Sequence, residues 1–221
     1  MTTATATGWA TLGLRKSVRL VEVGLRDGLQ AVPEPLRTED KVELVRLLIA
    51  AGLTEIEAVS FAHPKVLPQL ADAAEVMAAV PRTNGVRYRG LAPNLKGVQR
   101  AVECGLDEVV VVISADEEVS RRNQRRGTAE LVAELPEIAR IVSSAGARLV
   151  VAVACSFFAP ARGPVPRSER EFVVDAAVDA GADGIYLACT SGQEHPGEVF
   201  AGVTDTLDRH PGLDHLVHLE Q

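Results

Sequence analysis

One pattern repeats along this chain: an Ala/Leu/Val/Glu-rich stretch, a Gly or Asn-Gly stop, then a short apolar run. The stops fall at Gly52, Gly85, Gly105, Gly146 and Gly181. Glycine there supplies the left-handed backbone that closes a helix. Apolar runs follow at 55–61, 86–91, 108–114, 148–155 and 184–189, with a first at 18–24 and a seventh at 215–219. The run Val109-Val110-Val111-Val112-Ile113 is apolar without alternation. That marks a strand buried on both faces, as in a parallel sheet covered by helices. Seven such strands alternating with helices predict an α/β fold.

Two α/β architectures compete. A doubly wound nucleotide-binding sheet wants G-x-G-x-x-G after its first strand. Here that loop reads Gly24-Leu25-Arg26-Asp27-Gly28-Leu29-Gln30, and no G-x-x-x-x-G-K-[ST] occurs. Polar residues instead gather just after strand ends: Arg26 and Asp27, Ser60 and His63, Asn94, Ser114 and Asp116, Thr190 and Ser191, His218. Polar groups at the carboxyl ends of many strands characterise the active face of a TIM-type (β/α) barrel. The barrel is therefore favoured, as a single domain over 17–221, with 1–16 expected to be a disordered arm.

Composition narrows the partners. The 221 residues are 47% hydrophobic and carry a net charge of −7. A nucleic-acid surface needs a clustered basic face. The densest basic run, Arg121, Arg122, Arg125 and Arg126, is local and reads as a helix-start patch for one anion. Aromatics are 4%, so Val, Leu, Ile and Ala must build the core. Cys104, Cys155 and Cys189 are odd in number and widely spaced, which argues against disulfides and zinc and fits a reducing cytoplasm. The opening Thr/Ala-rich residues do not read as a secretory signal, and no run approaches the roughly 20 apolar residues of a membrane span.

The chemistry-bearing candidates sit at strand ends. A charged pair such as Arg26-Asp27 closing a buried strand must be solvated, paired or bound to a metal. It is either a structural ion pair at the barrel mouth, or Asp27 is a hard oxygen ligand for Mg²⁺ or Mn²⁺ with Arg26 polarising a carbonyl. Glu57, inside an apolar strand, either pairs with a neighbouring arginine as a buried acid or holds the Arg26 guanidinium in place. Ser60 suits a loop start. Asn94 is a helix N-cap or a substrate contact. Arg122 and Asn123 either grip a phosphate or carboxylate or belong to a solvated helix face. His218 is structural or, beside Asp27, a second metal ligand.

Glu22-Val23-Gly24-Leu25-Arg26-Asp27-Gly28-Leu29-Gln30 resembles the opening motif of hydroxymethylglutaryl-CoA lyases. Ile56-Glu57 through Ser60-Phe61, Pro93-Asn94-Leu95-Lys96-Gly97, and the segment from Ser114 to Asn123 follow the family in register, so the resemblance spans nearly the whole chain. It implies a TIM-type barrel with a divalent cation, Mg²⁺ or Mn²⁺, at its mouth. Asp27 matches the carboxylate ligand, His218 a histidine ligand, Arg26 the catalytic arginine and Glu57 the acid beside it. Gln30, Ser60, Asn94, Arg122 and Asn123, with Arg26, are implied contacts for an acyl-CoA substrate. The implied reaction is retro-Claisen cleavage of 3-hydroxy-3-methylglutaryl-CoA to acetyl-CoA and acetoacetate, a step of leucine breakdown.

Departures temper the resemblance. Where the family's sixth strand ends in Asp-Thr, this chain has Cys189-Thr190, and Ala152 stands where many members have Tyr. The family's His-x-His reads His218-Leu219-Glu220. The family's eighth strand and its acid-bearing loop have no counterpart, so the expected barrel is incomplete, with about seven of eight strands. Weak metal binding, near-background turnover and self-association through open edges are the corresponding expectations. A lyase or condensing enzyme for another acyl-CoA, or a non-catalytic acyl-CoA-binding remnant, are the alternatives.

Overall fold

The computed structural model describes residues 17–219; the expected arm over 1–16 lies outside them, as does Glu220. Six parallel strands form one sheet in chain order. They are β1 (Glu55–Ser60), β2 (Arg87–Ala92), β3 (Glu108–Ser114), β4 (Arg148–Ala154), β5 (Gly184–Cys189) and β6 (Asp214–Leu219). Helices α1 (Thr38–Ala50), α2 (Ala73–Ala79), α3 (Leu95–Glu103), α4 (Glu117–Gln124), α5 (Thr128–Val132), α6 (Leu135–Ser144), α7 (Arg167–Asp179) and α8 (Pro196–Arg209) fill the connections. Each strand lies beside the next in sequence, which is how a (β/α) barrel is wound, and the incomplete barrel expected from the sequence is what the chain forms. All five predicted helix stops have positive φ, from 64° at Gly105 to 93° at Gly52.

The sheet separates two apolar layers. Ile56, Val109, Val111, Ile113, Leu149, Val151, Val153, Ile185 and Leu187 alternate onto the outer face. There they meet Val45, Val76, Met77, Val98, Leu135, Ile138, Val142, Val173 and Val174 of the helices. Each such side chain contributes about 1.5–3 kcal/mol when fully buried. A smaller cluster, Val110, Val150, Ala152 and Tyr186, occupies the lumen.

The first expected strand is much reduced. Over 18–24, only Glu22 pairs, opposite Ile56. Its N–H donates to the Glu55 carbonyl at 2.9 Å, and its own carbonyl accepts from the Glu57 N–H at 2.8 Å. That register sets Leu20 opposite Thr54, ahead of β1. Val18 and Leu20 bury little apolar surface to hold them there, being 84% and 71% exposed.

The amino ends of the strands carry an ionic layer that the sequence reading did not anticipate. Arg89, almost fully buried, lies against both Glu55 and Glu108. Arg148 reaches Glu108 at 2.9 Å and Asp214 at 2.7 Å, and Arg87 reaches Glu108 at 3.3 Å. Arg19 bridges the two margins of the sheet, meeting Glu55 at 3.1 Å and Asp214 at 2.9 Å. With Asp183, 3.9 Å from Arg148, the cations and carboxylates of this layer are equal in number.

Candidate active site

The other end of the lumen holds the predicted cluster. After Glu22 the chain enters one π-helical turn, Gly24–Gly28, in which the Arg26 and Asp27 N–H groups both donate to the Val23 carbonyl, at 3.0 and 2.7 Å. At its entry the Gly24 N–H donates to Glu22 Oε1 at 2.5 Å, and a Cβ at Gly24 would displace that carboxylate, 2.6 Å away. The turn presents a buried Arg26 and a half-buried Asp27 to the carboxyl ends of the strands.

Arg26 directs Nε at the Glu57 carboxylate of β1 and Nη1 at Asp27. Glu57 is 1% exposed, and the strand pairing is irregular just beyond it. The expected pairing of Glu57 with Arg26 is therefore direct. Burial alone would lower the Arg26 pKa, but Glu57 and Asp27 outweigh it and raise it. The second Asp27 oxygen, Oδ2, lies 3.4 Å from Nε2 of His218 on β6. Hydrogen bonding to His218 is the chief influence holding the Asp27 carboxyl below its ordinary range, against burial and with help from Arg26. The other imidazole nitrogen, Nδ1, is 2.5 Å from the Tyr186 hydroxyl.

Tyr186 is the site residue that sequence reasoning missed. It stands in β5 between the outward-facing Ile185 and Leu187, and that break in an apolar run was the available signal. Burial, reinforced by Glu57, pushes its hydroxyl pKa upward, so it is a neutral phenol at physiological pH.

The remaining candidates are dispersed. Ser60 closes β1 with its hydroxyl accepting from the Ala62 N–H at 3.3 Å. Asn94 is the N-cap of α3, accepting from the Gly97 N–H at 2.9 Å. Asn94 also lines a cavity of about 260 Å³ with Phe61, His63, Lys96 and Arg100. Gln30 is exposed one turn beyond Asp27, and Arg122 and Asn123 are exposed on α4. The basic run lies at the end of α4 rather than at a helix start; Arg125 is its left-handed cap at φ 59°. Backbone carbonyls there favour cations, so the helix dipole lends that patch no help with an anion. Cys189 belongs to the cluster facing the helices and is 3% exposed. Burial, then Glu194, pushes its thiol up to about 11, which keeps it protonated at neutral pH.

Whether these residues suit a divalent cation follows from their charge. Among the described residues, Arg26 is the cluster's only arginine, set against two carboxylates, Asp27 and Glu57. Unlike the ionic layer at the opposite end, this cluster holds surplus negative charge, with an imidazole nitrogen beside one of the carboxylates. Asp27 and His218 supply two donors, and no described group of three or more His, Cys, Asp or Glu residues assembles there. Mg²⁺ and Mn²⁺ sites commonly rely on one or two protein groups and fill the remainder with water and substrate. The donor set fits.

The family model described as HMGL-like matches residues 17–218. The chain belongs to this family. Hydroxymethylglutaryl-CoA lyase, mitochondrial, of Arabidopsis thaliana is 40% identical over 187 residues, covering 85% of this chain and 40% of that protein. (R)-citramalyl-CoA lyase of Chloroflexus aurantiacus is 34% identical, covering 92% of this chain and 68% of its own length. The structure of a hydroxymethylglutaryl-CoA lyase from Acinetobacter baumannii in complex with coenzyme A and 3-methylmalate superposes with a TM-score of 0.84 at 33% identity. That match covers 89% of this chain and 65% of the other. The chain thus spans between 40% and 68% of these relatives' lengths.

Proposed function

We propose that this chain carries the metal-binding and oxyanion-stabilising half of a carbon–carbon lyase site for 3-hydroxy-3-methylglutaryl-CoA. The observation that carries the reading is the cluster at the barrel mouth: one guanidinium, two carboxylates and an imidazole brought together from three separate segments. Asp27 and His218 would hold Mg²⁺ or Mn²⁺. When bound, such an ion supplies Lewis-acid polarisation of a substrate oxygen.

The chain's own residues account for the rest. Glu57 and Asp27 hold the Arg26 guanidinium from two sides, so it needs no reorganisation to meet charge developing on the thioester oxygen. In the retro-Claisen step the tertiary hydroxyl loses its proton, the bond between C2 and C3 breaks, and its electrons pass into the acetyl-CoA enolate. Protonation of the enolate carbon completes acetyl-CoA, while the former carbinol carbon becomes the ketone of acetoacetate. Arg26 steadies the enolate oxygen between those events. Gln30, Ser60, Asn94, Arg122 and Asn123 are the proposed acyl-CoA contacts, of which Asn94 has a basic cavity beside it. The family resemblance further suggests a role in leucine breakdown, and the odd number and wide spacing of the cysteines fit a reducing cytoplasm. Among the described residues, no helix is long and apolar enough to cross a membrane.

Mn²⁺ titration tests the ligand assignment: weak binding is expected, abolished in Asp27→Ala. Where thioester cleavage is measurable, Arg26→Ala should lower kcat by roughly 10²–10³, the loss typical of removing one oxyanion donor. Mn²⁺ affinity indifferent to Asp27 would place the metal elsewhere. A second reading, a lyase for another acyl-CoA, is favoured by the Tyr186 phenol in the lumen. The two are separated by comparing cleavage of 3-hydroxy-3-methylglutaryl-CoA with that of other 3-hydroxyacyl-CoA esters.

A further inference from the structure

We propose that Tyr186 is a positioning residue whose phenol holds His218 in either of its two neutral tautomers; the part concerning the cation rests on the metal reading above. Tyr186 fills the lumen beside Ala152, its in-register neighbour on β4, and the small methyl is what leaves room for the ring. The Tyr186 and His218 rings lie 5.7 Å apart at 34°. Tyr186 is 7% exposed, so bulk water has little access to take over its hydrogen bond.

The two nitrogens of His218 have different partners. Nδ1 meets the Tyr186 hydroxyl at 2.5 Å, and Nε2 faces Asp27 Oδ2 at 3.4 Å. In the metal-free chain, Asp27 is best served by a proton on Nε2. Tyr186 then donates its O–H to Nδ1. For His218 to serve as a ligand, Nε2 must offer a lone pair and the proton must reside on Nδ1. Tyr186 then accepts it, because a hydroxyl is both donor and acceptor. One phenol can therefore satisfy both tautomers without moving the ring. An ionised carboxylate could only accept, and an apolar ring could do neither. A partner on the far nitrogen fixes ring orientation and ligand basicity at metal sites in general.

Tyr186→Phe keeps the ring and removes the hydroxyl. Mn²⁺ affinity, read from the electron paramagnetic resonance of free Mn²⁺, should fall about 10–100-fold. Long-range ¹⁵N–¹H correlation of the metal-free parent should show His218 as the Nε2–H tautomer that Asp27 selects, with its Nδ1 resonance displaced by the O–H that Tyr186 donates; in Tyr186→Phe the tautomer should stay and Nδ1 should return to the position of an imidazole nitrogen without a donor. Unchanged affinity or an unchanged Nδ1 resonance in the variant overturns the proposal. So does a metal-free parent whose Nδ1 shows no such displacement, a result that stands even if the variant fails to fold. If the parent binds no Mn²⁺, the metal reading and its consequence for Tyr186 fall together, and the Nδ1 resonance decides the hydrogen-bonding role separately.

Discussion

The barrel lumen carries arginine and carboxylate at both ends, yet the two layers are arranged to opposite effect. At the amino ends of the strands, Glu108 is met by Arg87, Arg89 and Arg148, and Glu55 by Arg19, Arg87 and Arg89. Charge there is balanced among protein groups. At the carboxyl ends, Arg26 is shared between Asp27 and Glu57, and one carboxylate is left in excess. On the reading proposed above, that excess is what a cation would neutralise. Stoichiometry, more than residue identity, separates the two layers.

The largest test of that contrast is Arg89→Ala. It would leave Glu55 and Glu108 buried with fewer partners, and should destabilise the chain by about 3–5 kcal/mol in chemical denaturation. Asp27→Asn, which removes surplus charge from a partly exposed position, should change stability by less than about 1 kcal/mol. Equal losses would erase the distinction between the layers.

A smaller effect concerns acid. Burial pushes the Asp214 carboxyl up, but hydrogen bonds from Arg148 and Arg19 outweigh it and hold it below the ordinary range. A carboxyl lowered by folding stabilises the chain above its unfolded pKa, about 3.9. That contribution disappears as pH falls through the lower, folded value. The urea midpoint of the parent should therefore drop on acidification below about pH 4, and Asp214→Asn should flatten that limb. An identical acid limb in the variant would remove Asp214 from the balanced layer.

The smallest effect lies in the segment that joins the layers. Glu22 is its single bridge to β1, between Arg19 below and Arg26 above. Hydrogen exchange should find the Glu22 N–H slow and the Leu20 N–H fast. Uniform protection across 18–24 would mean a full strand forms there and would sharpen the segment into a rigid strut.

Much of this was legible in the sequence because it was local. A glycine stop followed by an unbroken apolar run specifies its strand without reference to the rest of the chain. Arg26, Asp27, Glu57 and His218 were legible because charge at the end of a buried strand demands an explanation. The amino-end layer was not: Glu55, Arg87, Glu108 and Arg148 begin their strands, where charge ordinarily reads as solvated. Only closure of the sheet turns those residues toward one another. Tyr186 was hidden for the same reason, since its partner on β6 and the space beside Ala152 both come from other strands. The segment at 18–24 misled because its composition suits a strand while its first residues fall ahead of β1 and its last enters the π-helical turn.

Arg19 brings a kinetic consequence. Its contact with Asp214 joins residues 195 positions apart, whereas each strand of the sheet pairs with the next one along the chain. Short-range pairings can form early, but this one must await nearly the entire sheet. The expectation is that it forms after the rate-limiting barrier to folding, where interactions act on the barrier to leaving the native state. The guanidinium is then a latch of modest strength, being half exposed: Arg19→Ala should leave the folding rate nearly unchanged and quicken unfolding by up to about fivefold.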